Sequence, residues 1–133
     1  MEWEHGERAM IRQLWKTAIE VVERDPSLQP KLGFYWGPLR DAGFRDIAKD
    51  ALAKSLAHAQ VTNDTNAIIG HFLSMSQLEL EDGFPHRARE YLEQLQATGL
   101  TETHPELKAY LLRWQGLVAW AEGQLTSAED FLW

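Results

Sequence analysis

Five histidines, His5, His58, His71, His86 and His104, are the first residues to test for chemistry. A zinc site on a helix needs two of them three or four residues apart, so that both imidazoles leave one face, or a His-Glu-x-x-His run. Neither spacing occurs, and His71, near Glu79 and Glu81, falls on no recognisable ligand face. Ser74 and Ser76 lie within a helical pattern rather than at a strand–turn–helix elbow, so a hydrolase triad is not expected. There is no Gly-x-Gly-x-x-Gly loop and no Walker sequence to cradle phosphate. The neighbouring acids Glu79, Glu81 and Asp82, and Glu129 and Asp130, read as solvated helix surface. With no cysteine, disulfide scaffolds, thiolate metal sites and cysteine nucleophiles all drop out. The expectation is a chain with no catalytic residues, no metal and no cofactor, and hence not an enzyme.

Charge narrows the partners. Thirteen Lys and Arg against twenty Asp and Glu leave a net charge of −7, which repels a phosphate backbone. The modest basic cluster of Lys31, Arg40, Arg45, Lys49 and Lys54 is interleaved with Asp41, Asp46 and Asp50, so it makes no phosphate track. No nucleic acid is expected, and the partner of such a surface should be neutral or basic. No stretch reaches the ~18 apolar residues of a membrane span, and the N-terminus does not read as a signal peptide. The address expected is cytoplasmic, with no membrane contact. A length of 133 residues suits one domain with a continuous core.

The elements that must position any site repeat. Gly43, Gly83 and Gly123 stand forty residues apart; five residues after each comes Ala48, Ala88 or Ala128, and four further on Leu52, Leu92 or Leu132. Each column has a physical reading. The glycine ends a helix in the left-handed conformation that other residues enter at a penalty. The alanine lets two antiparallel backbones approach, and the leucine on the same face fills their interface. Each unit is therefore helix, glycine turn, helix. Asp64 reads as an N-cap for Ile68, Phe72, Met75 and Leu78. Thr103 and Glu106 read as a capping box ahead of Leu107, Leu111, Leu112 and Val118, with Pro105 in the first turn. Arg87–Gln96 and Phe44–Gln60 read as partner helices. No window alternates with period two, so the class expected is all-α.

This pattern resembles the tetratricopeptide repeat family, through Gly83, Ala88 and Leu92 in the middle copy and Gly116, Gly123, Ala128 and Leu132 in the last. Val22-Glu23-Arg24-Asp25-Pro26 is similar to the way such repeats close. The forty-residue period exceeds the usual ~34 and is similar to arrays in bacterial signalling ATPases and transcription regulators. Ser76 departs from the glycine the family usually has there. The resemblance implies antiparallel hairpins stacked into a short right-handed solenoid spanning 1–133 as a single domain. Its parts are an N-terminal helix at about 7–24 and repeats at about 25–60, 64–97 and 103–133. Gly37-Pro38 should break the first repeat, since an interior proline costs ~3 kcal/mol.

In the family, the first helices of successive hairpins line a concave face that holds extended peptides. Carried over, that face is Leu73, Gln77 and Leu80 with Tyr110, Arg113, Leu117 and Trp120. The resemblance thus implies a non-enzymatic module that binds a protein or peptide. The alternative is a sensor or oligomerisation segment of a larger bacterial regulator. The aromatic run Phe34-Tyr35-Trp36 reads either as a plug on the end of the stack or as a binding loop. Six tryptophans are many for this length, so most should be core or interface, with Trp3 and Trp133 the exceptions. An apolar end at Phe131, Leu132 and Trp133 implies either a piece of a longer array or a homo-dimer that covers it.

Overall fold

A computed structural model describes the backbone of residues 5–33 and 35–132, and the side chains of 6–33 and 35–124. Among the described residues all regular structure is helical and none is strand, so the fold class is all-α. The helices are α1 (His5–Arg24), α2 (Gln29–Gly33), α3 (Trp36–Asp41), α4 (Arg45–Thr62), α5 (Thr65–Glu81), α6 (Pro85–Thr98) and α7 (Pro105–Leu132). They gather into two compact units, Met1–Thr62 and Asn63–Trp133.

In the first unit α1 and α4 run parallel. Ile11, Trp15, Ile19 and Val22 recur at helical steps and face inward. Arg12 Nη1 donates to Asp46 Oδ2 at 2.7 Å and Trp15 Nε1 to Asp50 Oδ2 at 3.2 Å, a stride of 34 and 35 residues. The hydrogen bond from Arg12 holds the Asp46 carboxyl below its ordinary pKa. Both partners are solvent-exposed, so the pair fixes register more than stability. Between the two long helices the chain advances in short pieces. Pro26 opens a single 3-10 turn (Pro26–Leu28), and Pro38 sits in the first turn of α3, where no intrahelical donor is missed. Gln29, buried, donates through Nε2 to Ser55 Oγ at 3.3 Å and ties α2 to α4.

The second unit is α5, α6 and α7. Asp64 caps α5 by accepting from the Ala67 N–H at 3.2 Å. α6 buries Ala88, Leu92 and Leu95, and α7 buries Leu111 and Val118. Ser76 is fully buried, and its hydroxyl donates to the Ala88 carbonyl at 3.1 Å. A small side chain is what the α5–α6 crossing admits, and this one leaves its hydroxyl satisfied. The capping box does not form. The Thr103 hydroxyl donates to the Leu100 carbonyl at 3.3 Å, at the end of a 3-10 turn (Leu100–Thr103). The first bond of α7 runs instead from the Lys108 N–H to the His104 carbonyl. The reason is Pro105, whose fixed φ suits the first helical position and leaves His104 as the cap.

At two of the three recurring glycines the chain turns, and those two turns are alike bond for bond. At Gly43 (φ 88°) its N–H donates to the Arg40 carbonyl at 3.0 Å and the Phe44 N–H to Leu39 at 2.8 Å. At Gly83 (φ 85°) the same bonds run to Leu80 at 3.1 Å and from Phe84 to Glu79 at 2.9 Å. Both are the paired closure of a left-handed helix cap, and Ala48 and Ala88 follow in equivalent, wholly buried positions. Gly123 departs from the pattern: α7 passes straight through it. A glycine permits the left-handed turn without compelling it, and whether it turns depends on what packs on either side. The side chains of Ala128 and Leu132 lie outside the described residues, as do those of Phe131 and Trp133.

Candidate functional site

Leu73, Gln77 and Leu80 lie half-buried on one face of α5, and Asn66 and Gly70 extend the stripe toward its start at steps of four and three residues. An added Cβ at Gly70 would meet nothing within 4 Å, so this face is open along its middle. On α7, Tyr110, Arg113, Leu117 and Trp120 form a second stripe, all exposed, Trp120 at 67%. α5 packs against both α6 and α7.

A cavity of about 230 Å³ brings Leu80 together with Trp120, alongside Gly83, Pro85, Ala121 and Gln124. At the other end of the same two helices, Asn66 of α5, Thr103 and His104 just before α7, and Pro105–Leu107 in its first turn line a second one of about 580 Å³. Leu73 and Gln77, and Tyr110, Arg113 and Leu117, occupy the helix stretches between these two hollows. Sequence reasoning missed Asn66, Leu107, Pro85 and Gln124. Continuing the α7 stripe by one turn at each end would have found Leu107 and Gln124, and continuing the α5 stripe by two turns toward its start would have found Asn66. Nothing in the spacing marks Pro85, which reaches the cavity because the Gly83 turn folds it there.

The polar groups of this face are few. Gln77 is not idle: its Nε2 donates to Glu81 Oε2 at 3.2 Å on its own helix. Arg113 stands apart from the other cations of the second unit. Arg87 approaches Glu79 at 3.8 Å, Arg89 reaches Glu122 at 3.0 Å, and Lys108 holds Glu102 at 2.7 Å. Arg113, exposed, has no such carboxylate among the described residues.

His86 Nδ1 pairs with Glu122 Oε2 at 2.7 Å, clamping α6 to α7 together with Arg89. Among the described residues no group of three or more His, Asp or Glu is placed to hold a metal ion. His71 is half-buried in α5, and burial pushes its imidazole below the ordinary value of 6.5, against a smaller upward pull from Asp64. A depressed histidine contributes stability that is present above its unfolded pKa of ~6.5 and is lost as pH falls through the folded value. Urea unfolding at about pH 7.5, 6.5 and 5.5 should therefore show stability falling with acidity, and His71→Gln should flatten that slope. An unchanged slope in the variant would mean that His71 is as well solvated in the native state as in the unfolded one.

The first unit holds a hollow of about 270 Å³ lined by Ile19, Val22, Leu32 and Ala57, with Gln29 among its polar walls. In the run next to it Tyr35 is exposed, Trp36 is half-buried with Arg40 4.9 Å above its ring, and Phe34 lies outside the described residues. No helix of the described residues is long and apolar enough to cross a membrane. Set against protein-family models, curated proteins and solved structures, the chain matches none of them.

Proposed function

We propose that this chain is a non-enzymatic interaction module of the tetratricopeptide type, which holds an extended peptide or protein segment along α5 and α7. The observation that carries the reading is the hollow shared by Leu80 and Trp120 at one end of two exposed stripes. A tryptophan there offers large contact area at little rotamer loss. Arg113, seven residues from Trp120, supplies a planar fork for a carboxylate or a backbone carbonyl. A helix rises ~1.5 Å per residue, so the two anchors sit ~10 Å apart, within reach of a short extended segment. The parallel packing of α1 on α4 at a stride of 34 to 35 residues also supports the family reading, because ~34 is the usual repeat. The net charge of −7 favours a neutral or basic partner overall. A cytoplasmic address belongs to the same proposal. The second reading, a self-association segment of a larger regulator, draws on the exposed apolar surface of α7.

Peptides selected from a random display library on the full chain provide the test. Trp120→Ala should weaken the selected peptides by about 30- to 1,000-fold, the 2–4 kcal/mol of an interface anchor. Arg113→Ala should weaken chiefly those that carry an acid. Unchanged affinity in both variants, with helical circular dichroism intact, removes the groove from consideration.

A further inference from the structure

Side-chain bonds join α1 to α4 at Arg12–Asp46 and at Trp15–Asp50. The same stride, continued, sets Ile19 against Lys54 and Glu23 against His58. Among the described residues no bond crosses there; all four residues instead line the hollow of about 270 Å³. The chain leaves α1 at the Pro26 turn and enters the short helix α2, which supplies the buried residues Gln29 and Leu32 to the same hollow.

Gln29 makes this more than a gap in packing. It is 7% exposed, and its one side-chain bond among the described residues runs from Nε2 to Ser55 Oγ at 3.3 Å. A primary amide has two donors and two acceptor positions, and buried ones are normally filled. Here Oε1 accepts from no group of the chain among the described residues, yet it is not sealed in. The hollow that Gln29 lines is the open space beside it.

Charge around the opening is sorted by wall. α1 contributes Glu23, whose carboxylate makes no ion pair or hydrogen bond among the described residues. α4 contributes Lys54 and His58, four residues apart and so on one face. Lys54 is held by Asp50 at 3.7 Å, a solvent-exposed pair of little strength. Neither Lys54 nor His58 pairs with Glu23. An acid on one wall, two donors on the other and an apolar patch of Ile19, Val22 and Leu32 are complementary to a zwitterion with an apolar side chain. The volume equals that of about nine water molecules at ~30 Å³ each, which suits a molecule the size of leucine.

We propose that this hollow is a binding site for a free α-amino acid with an apolar side chain. The ligand's ammonium donates to the Glu23 carboxylate and to Gln29 Oε1. Its carboxylate accepts from Lys54 and His58, and its side chain covers Ile19, Val22 and Leu32. The site lies wholly within the first unit, so it does not depend on the peptide-binding reading of α5 and α7.

Titration calorimetry of the full chain with L-leucine tests it, with a Kd of about 10 μM to 1 mM expected for so small a ligand. 4-Methylpentanoate and 3-methylbutylamine keep the leucine skeleton but lose one charge each. Both should bind at least about 10-fold more weakly, the loss of a charged hydrogen bond. Glu23→Gln should weaken leucine by a similar factor and leave 4-methylpentanoate unchanged. Lys54→Gln should weaken leucine too, and leave 3-methylbutylamine unchanged. Ala57→Phe fills the opening from an exposed position and should abolish binding while helical circular dichroism stays intact. No saturable binding of L-leucine at up to ~10 mM overturns the proposal and leaves a hollow filled by water alone. So does wild-type affinity in Ala57→Phe, or equal affinity for leucine and its two singly charged analogues.

Discussion

Phe44→Ala is expected to remove about 3–5 kcal/mol of stability, while Phe84→Ala, the same change at the equivalent turn, should remove about 1 kcal/mol or less. The two phenylalanines follow identical glycine caps and donate the same backbone bond, so their local structure offers no reason for a difference. Their surroundings do. Phe44 is 1% exposed, with the Arg8 guanidinium 4.4 Å and that of Arg12 5.6 Å from its ring centre. Arg8 also approaches the Gly43 carbonyl at 3.4 Å, and Arg12 bonds Asp46. The ring thus lies under the first turns of α1, and deleting it opens a hole beneath a helix that depends on it for its seat. Phe84 is 44% exposed beside Arg87, 4.3 Å from its ring, and its loss leaves solvent where solvent already reaches. A domain of this size holds ~5–15 kcal/mol in total, so Phe44→Ala should shift a urea midpoint far toward water without changing the slope. Equal losses at the two sites would mean that α1 does not cover Phe44 in solution.

The α5–α6 crossing should resist change in both directions. Leu92→Ala deletes a side chain that is 1% exposed and should cost about 2–5 kcal/mol. A shallow hollow of about 270 Å³ between α6 and α7 already touches Leu92, so the gap can fill with water or collapse, which favours the lower half of that range. Ala88→Leu adds volume at a fully buried position whose carbonyl already sits 3.1 Å from the Ser76 hydroxyl. The longer side chain must push the helices apart or twist off its rotamer, for about 1–3 kcal/mol. A loose interface would welcome the extra methyl groups while still resenting the lost leucine. Losses at both sites, read from denaturant unfolding with the slope unchanged, identify a close-packed joint. A neutral or stabilising Ala88→Leu would show that alanine at this column is not a packing requirement, and would remove the physical basis of the repeat.

The readings that held concern backbone conformations set by near neighbours. Helices are legible from apolar residues recurring at three and four, and the Gly43 and Gly83 turns from a residue that enters the left-handed region freely. Asp64 is legible as a cap because its carboxylate needs only the N–H three residues on. The Thr103–Glu106 box failed over one residue, since Pro105 took the first helical position. Of the residues read as a partner-binding face, Leu80 and Trp120 line one hollow, and Gln77 spends its amide on Glu81.

What the residues determine by themselves, then, is the helical class, the places where the chain can turn, and which faces are apolar. Only the tertiary structure decides which of those faces are covered. Phe44 and Phe84 share a local sequence signal and differ in burial because α1 lies over one of them. Gly83 turns and Gly123 does not, although both carry the same downstream alanine and leucine. The physical reason is one of range. Torsional preference and capping act over three or four residues, whereas burial depends on segments that arrive from thirty or forty residues away, and no single window of sequence contains both partners.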